Sequence, residues 1–144
     1  MTLATLTPRE ASIFACLTDT VLTPRPLLPP VAETDAAAFF DLWMGRSPRV
    51  NRVAFRALLY VIEVAPLFMG FGRRMRRLDD GERARYLHSL ERARSPQLRQ
   101  LVKLFKGFAA LSYYGDDRVM LLIGYDAEAN LRRGRELRAV EGRL

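Results

Sequence analysis

The chain has 144 residues, 49% of them apolar, and a formal net charge of +7. That length suits one domain, and that apolar share is too high for a disordered chain. A single cysteine, Cys16, and a single histidine, His88, exclude an intramolecular disulfide, a four-ligand Cys/His zinc site and c-type haem attachment within this chain.

Three dipeptides, Thr7-Pro8, Ser47-Pro48 and Ser95-Pro96, pair a hydroxyl with a proline. Each predicts a helix start: the hydroxyl accepts from an orphan backbone N–H, and proline at the first helical position sacrifices no bond. Thr7 and Glu10 add a capping box. The first helix is expected from Pro8 to about Leu22, with Ile13, Phe14, Leu17 and Val21 on one face. It must stop in "TPRPLLPP", where four prolines fall within seven residues. That segment reads as an extended strap, pinned to the core by Leu27 and Leu28.

Thr34 is the expected cap of a short second helix, Asp35 to about Met44, with Gly45 as its stop. The third helix, from Pro48, places Val50, Val53, Ala54, Ala57, Leu58, Val61, Val64, Ala65 and Phe68 on one wide apolar face, which Phe55, Leu59 and Ile62 extend. Arg52, Arg56 and Glu63 leave only a narrow polar stripe, so the helix reads as the central core helix, with Pro66 kinking or ending it. Asp79 or Asp80 caps a fourth, outer helix with Ala84, Leu87 and Leu90 inward. The fifth runs from Pro96 to about Tyr114, ended by Gly115. A sixth, capped by Asp116, runs through Ile123 and stops at Gly124.

No run alternates with a period of two and there is no internal repeat, so the expectation is an all-α, single-domain bundle of about six helices. Its domain spans residues 1–126. Residues 127–144, "AEANLRRGRELRAVEGRL", read as a charged C-terminal helix or tail. The most apolar span, Val53 to Phe71, carries Arg56, Glu63 and Pro66, which makes a poor membrane-spanning helix. The N-terminus lacks a basic region followed by an apolar run, so a cytoplasmic location is the default expectation.

Residues with chemical potential are few. Cys16 sits among apolar neighbours, where an inert buried thiol is the simpler reading. His88 lies on a charged helix and reads as solvated. Glu63 is surrounded by apolar positions, which calls for an internal ion pair with an arginine from another helix, or for a catalytic part in an independent enzyme. Gly70-Phe71-Gly72 before arginines suggests a phosphate loop, but that motif needs a preceding strand, and a helix precedes here. The pI of about 10.3 admits nucleic acid, anionic lipid or an acidic protein as partner. An arginine-dominated charge, with lysine only at Lys103 and Lys106, is also what a high-GC coding sequence gives. The stretch "PLFMGFGRRMRR" sets apolar residues before Arg73, Arg74, Arg76 and Arg77. That basic patch fits a free-standing peripheral adaptor on an anionic membrane surface. Nucleic acid is the weaker alternative, because no base-reading helix pattern follows.

The segment "YYGDDRVMLLIGYD" carries Tyr113, Tyr114, Asp116, Val119, Ile123, Gly124, Tyr125 and Asp126 in an order that resembles the C-terminal signature of gluconate 2-dehydrogenase subunit 3-like proteins. "LTPREASIFACLTDTVLTP", "FRALLYVIEVAPLF" and "RRLDDGERARYLHSLERARSPQLRQLVKLFKGFAAL" are similar to the family's earlier segments, so the resemblance runs to Asp126. It implies a non-catalytic small, gamma-type subunit. The partner would be an FAD-dependent large subunit of the glucose-methanol-choline (GMC) group, which oxidises alcohols or sugars and itself holds FAD and the catalytic histidine. The small subunit would support its folding, stability or export. Many such proteins carry a twin-arginine signal. Here the arginine pairs lie far inside the chain, which leaves a cytoplasmic complex or export as a passenger on the partner. On this reading Tyr113, Tyr114, Arg118, Tyr125 and Trp43 are candidate interface residues, because aromatics and arginine anchor interfaces. The alternative is that the tyrosines only lock helix ends to the core.

Overall fold

The computed structural model describes residues 3–23 and 26–141. Pro24 and Arg25 of the strap and the last three residues of the charged tail lie outside them. Among the described residues the chain is 75% helical, with seven helices and no strand. The helices are α1 (Pro8–Leu22), α2 (Ala36–Arg46), α3 (Arg49–Val64), α4 (Asp80–Glu91), α5 (Pro96–Tyr114), α6 (Asp117–Leu122) and α7 (Ala127–Glu141). Three-residue 3-10 turns occupy Val31–Glu33, Ala65–Leu67 and Met75–Arg77. The bundle is all-α, as the periodicity predicts.

The starts of α1, α4, α5 and α6 follow local capping chemistry. Thr7 and Glu10 form the reciprocal capping box of α1, and Asp79 and Glu82 form that of α4. Ser95 Oγ accepts from Leu98 N–H, and Asp116 accepts from Arg118 and Val119 N–H. Ser47 departs from this pattern. Its hydroxyl donates to Trp43 C=O of the preceding helix, so Pro48 becomes the cap position and α3 begins at Arg49. Gly45 does not end α2, which runs on to Arg46. Instead Gly45 passes so close to the N-terminal segment that a Cβ would meet Thr5 Oγ1 at 3.2 Å.

α1, not α3, is the central helix: it contacts α2, α3, α4 and α5. Its Ile13, Phe14 and Leu17 are buried against an aromatic core. Phe14 stacks on Phe40 at 4.4 Å, Phe105 meets Phe14 edge-on at 5.8 Å, and Phe108 meets Phe40 at 5.2 Å. α4 contributes more than Leu87 and Leu90. Its Tyr86 is fully buried and donates to Ile62 C=O at 2.9 Å, whereas Ala84 is exposed.

The strap is held by polar stitches more than by leucines. Leu28 is half-buried, but Leu27 is exposed, and the apolar pin is the buried Val31. Asp19 of α1 accepts from Val31 N–H at 2.9 Å, Tyr113 OH donates to Pro29 C=O at 2.7 Å, and Asp116 accepts from Asp35 N–H at 2.7 Å. At the N-terminus Asp41 accepts three backbone N–H bonds, from Leu6, Thr5 and Ala4, at 2.6–2.9 Å.

Burial pushes the Asp41 carboxyl toward neutrality, but the three N–H bonds outweigh it and leave the pKa below the ordinary 3.8. Folding therefore favours the carboxylate. Its stabilisation is complete above the ordinary value and is lost as pH falls through the folded value. Asp41→Asn is expected to cost about 2–3 kcal/mol at neutral pH. Thermal unfolding across pH should show the gap from wild type closing in acid below 3.8. Tyr113→Phe, which releases the strap at Pro29, is expected to cost about 1 kcal/mol in the same assay.

Candidate partner interface

The polar stripe of α3 faces inward. Glu63 is buried, and Arg76 from the Met75–Arg77 turn binds it twice, Nε to Oε1 at 3.0 Å and backbone N–H to Oε2 at 3.3 Å. Arg76 also donates to Ser12 Oγ of α1. Arg56 pairs with the buried Glu10 of α1 at 3.3 Å and donates to Thr5 C=O. The internal ion pair that Glu63 requires is thus present, with its arginine supplied by the Met75–Arg77 turn and not by another α-helix. These contacts pin one side of the helix to the bundle, and Phe55, Leu59 and Ile62 pack on that side with them.

The face opposite is turned out. Val50 is 72%, Val53 67%, Val61 56% and Phe68 84% exposed, and Ala54 and Ala57 are exposed between them. These are six of the nine residues that the periodicity places on the core face; of the others, Leu58 and Ala65 pack partly against the core. The structure reverses that expectation, because burying them would take Glu63 and Arg56 away from Arg76 and Glu10. A second apolar surface lies on α5 and α6: Leu104, Leu111, Tyr114, Leu121, Leu122, Ile123 and Tyr125 are exposed, with Phe39 and Leu42 of α2. Leu104 and Leu111 lie a turn either side of Phe108 on α5, whose ring meets Phe39 and Trp43 of α2. The three consecutive apolar residues Leu121-Leu122-Ile123 are a sequence signal for this surface, since one short helix cannot bury all of them.

The predicted interface residues divide between roles. Tyr113 is fully buried, its hydroxyl is held by Pro29, and its ring meets that of Tyr114 at 5.2 Å. It locks the strap and offers nothing to a partner. Trp43 is half-buried in a ring cluster with Phe40, Phe55 and Phe108. Arg118 is more than half exposed yet tied to Glu33 C=O and Asp116. Tyr114 and Tyr125 remain exposed at the α5–α6 end. In the basic patch Arg76 is spent on Glu63, whereas Arg73, Arg74 and Arg77 are exposed and make no ion pair among the described residues.

Two adjoining grooves of about 410 and 440 Å³ share Asp19 and Arg83 beside α1. Cys16 lines one of them, and burial pushes its thiol pKa up, opposite to an activated nucleophile. Asp19 is also raised by burial, against its bond from Val31. Arg83 is engaged with Leu78 C=O and Asp80. His88 lies exposed on α4, 3.8 Å from Glu91. No hydrogen bond joins Cys16 or Asp19 to His88 among the described residues. No family model, no curated protein and no solved structure matches the chain.

The placement of Arg76 separates it from its neighbours in a simple assay. Arg76→Ala, which strips a buried carboxylate of its guanidinium, is expected to cost about 2–3 kcal/mol. Arg73→Ala and Arg74→Ala should each stay within about 0.5 kcal/mol of wild type in chemical denaturation.

Proposed function

We propose that this chain is a non-catalytic companion subunit that binds and stabilises, or helps mature, a larger protein. The observation that carries this reading is the amount of apolar surface a small helical bundle leaves open, chiefly along α5, α6 and α2. Contiguous exposed apolar residues on such a domain mark a surface covered in use. The α5–α6 surface combines exposed leucines with the exposed Tyr114 and Tyr125 and the largely exposed Arg118, and tyrosine and arginine are side chains that anchor protein contacts. The charged groups near the α1 grooves are engaged in holding the fold, which favours a companion over an independent enzyme.

The order of motifs from Thr7 to Asp126 supports a more specific partner, an FAD-dependent large subunit of the GMC group acting on alcohols or sugars. FAD and the redox chemistry would belong to that subunit, and this chain would hold no cofactor of its own.

Co-expression with genomically neighbouring proteins tests both levels. A tagged chain is expected to retain a large yellow flavoprotein through purification. Leu111→Asp and Leu122→Asp, both at exposed positions, should cut recovery of that partner at least about tenfold while the chain stays folded. Retention of a colourless protein would keep the companion role and remove the flavoprotein. A chain that recovers no partner, or whose capture ignores both substitutions, would sink the reading.

A further inference from the structure

We propose that the outer face of α3, with the turn that follows it, docks on an anionic lipid bilayer. This inference rests on a different surface from the companion role and stands or falls separately. The apolar row from Val50 to Val61 is about 17 Å long at the rise of an α-helix. It continues into Leu67, Phe68 and Met69, all exposed. Exposed arginines bracket it: Arg46 and Arg49 at the start, Arg73, Arg74 and Arg77 beyond the turn.

Charge selects the occupant. Between Leu42 and Leu78 the only acid is Glu63, and it is buried against Arg76. Every exposed charge in that segment is an arginine. The next acids in the chain are engaged at the start of α4: Asp79 and Glu82 in the capping box, Asp80 with Arg83. Because Arg76 is pinned to Glu63 on the last turn of α3, the exposed Arg74 and Arg77 are held near the C-terminal end of that helix. Phe71 N–H bonds back to Pro66 C=O at 3.1 Å, and Gly70 and Gly72, with φ of 90° and 67°, let the chain reverse there. Phe68 is left at the tip.

The side-chain chemistry favours lipid over protein. The row consists of valine and alanine, with no tyrosine, tryptophan or hydrogen-bonding group of the kind that anchors protein contacts. A bilayer surface needs only apolar area and cations, and an amphipathic helix lies flat in it with arginines reaching the headgroups. No helix among the described residues is long and apolar enough to cross a membrane, so the contact would be peripheral.

The test is sedimentation of the purified full chain with vesicles of phosphatidylcholine, with and without phosphatidylglycerol. Association is expected with the anionic vesicles alone and should weaken steeply as salt is added. Changing Arg73, Arg74 and Arg77 together to Ala should weaken it on the order of a hundredfold. Phe68→Asp should weaken it about tenfold. Both variants alter exposed positions and should unfold at the wild-type temperature. Absence of association with anionic vesicles at low salt would overturn the proposal. So would binding that ignores Phe68→Asp, which is the behaviour of a simple polycation that DNA would displace equally well. If Val53→Asp and Phe68→Asp instead release a co-purifying protein while vesicles go unbound, the face belongs to that protein.

Discussion

The orientation of α3 depends on two buried carboxylates. Glu63 and Glu10 lie inside the bundle, and a buried carboxylate without a cation costs several kcal/mol. Arg76 answers the first and Arg56 the second. Arg56 is part of α3 itself, so the same side of the helix is held against α1 at one point and against the Met75–Arg77 turn at another. Rolling α3 over to bury its valines would break both pairs and expel Phe55, Leu59 and Ile62 from the core. The larger apolar residues therefore go inside with the charges, and valine and alanine are left outside. The outward apolar face follows directly from how the polar stripe is paired.

A second set of polar contacts fixes the strap between α1 and α2. Asp19, Tyr113 and Asp116 each take one main-chain group of the segment from Pro29 to Asp35. A proline-rich stretch cannot satisfy its own backbone, and these side chains supply the missing partners. Asp116 does this while capping α6, so one carboxylate couples the start of α6 to the start of α2. Much of the chemistry concentrated between Ser112 and Asp126 is thus structural. Tyr113 and Asp116 are consumed by the fold, whereas Tyr114 and Tyr125 stay exposed.

The helix ends were legible in the sequence wherever their bonds are local. Thr7 with Glu10, Asp79 with Glu82, Ser95 and Asp116 each act within three residues, and composition reveals such contacts. Ser47 shows the limit of that logic. Its hydroxyl had a competing acceptor in the Trp43 carbonyl, and the same Ser-Pro pair produced a different start. The facing of α3 was not legible, because periodicity shows that a helix has an apolar side without showing what that side meets. Glu63 signalled that an arginine was needed, but four were available between Arg73 and Arg77, and only folding selects Arg76. Tyr86 was missed for a related reason: its acceptor, the Ile62 carbonyl, belongs to another helix. Tyr114 and Tyr125 are exposed at the α5–α6 end, and the bare valines of α3 were assigned to the wrong side.

The uncovered leucines of α5 and α6 have a consequence for the life of the polypeptide in a cell. Sticky patches of this kind are what chaperones and proteases recognise in proteins made out of proportion. A surplus copy would cluster with its own kind or be cleared. Under the proposed companion role, synthesis of this chain would have to keep step with whatever shields it, and its abundance would be set by that supply more than by its own rate of production.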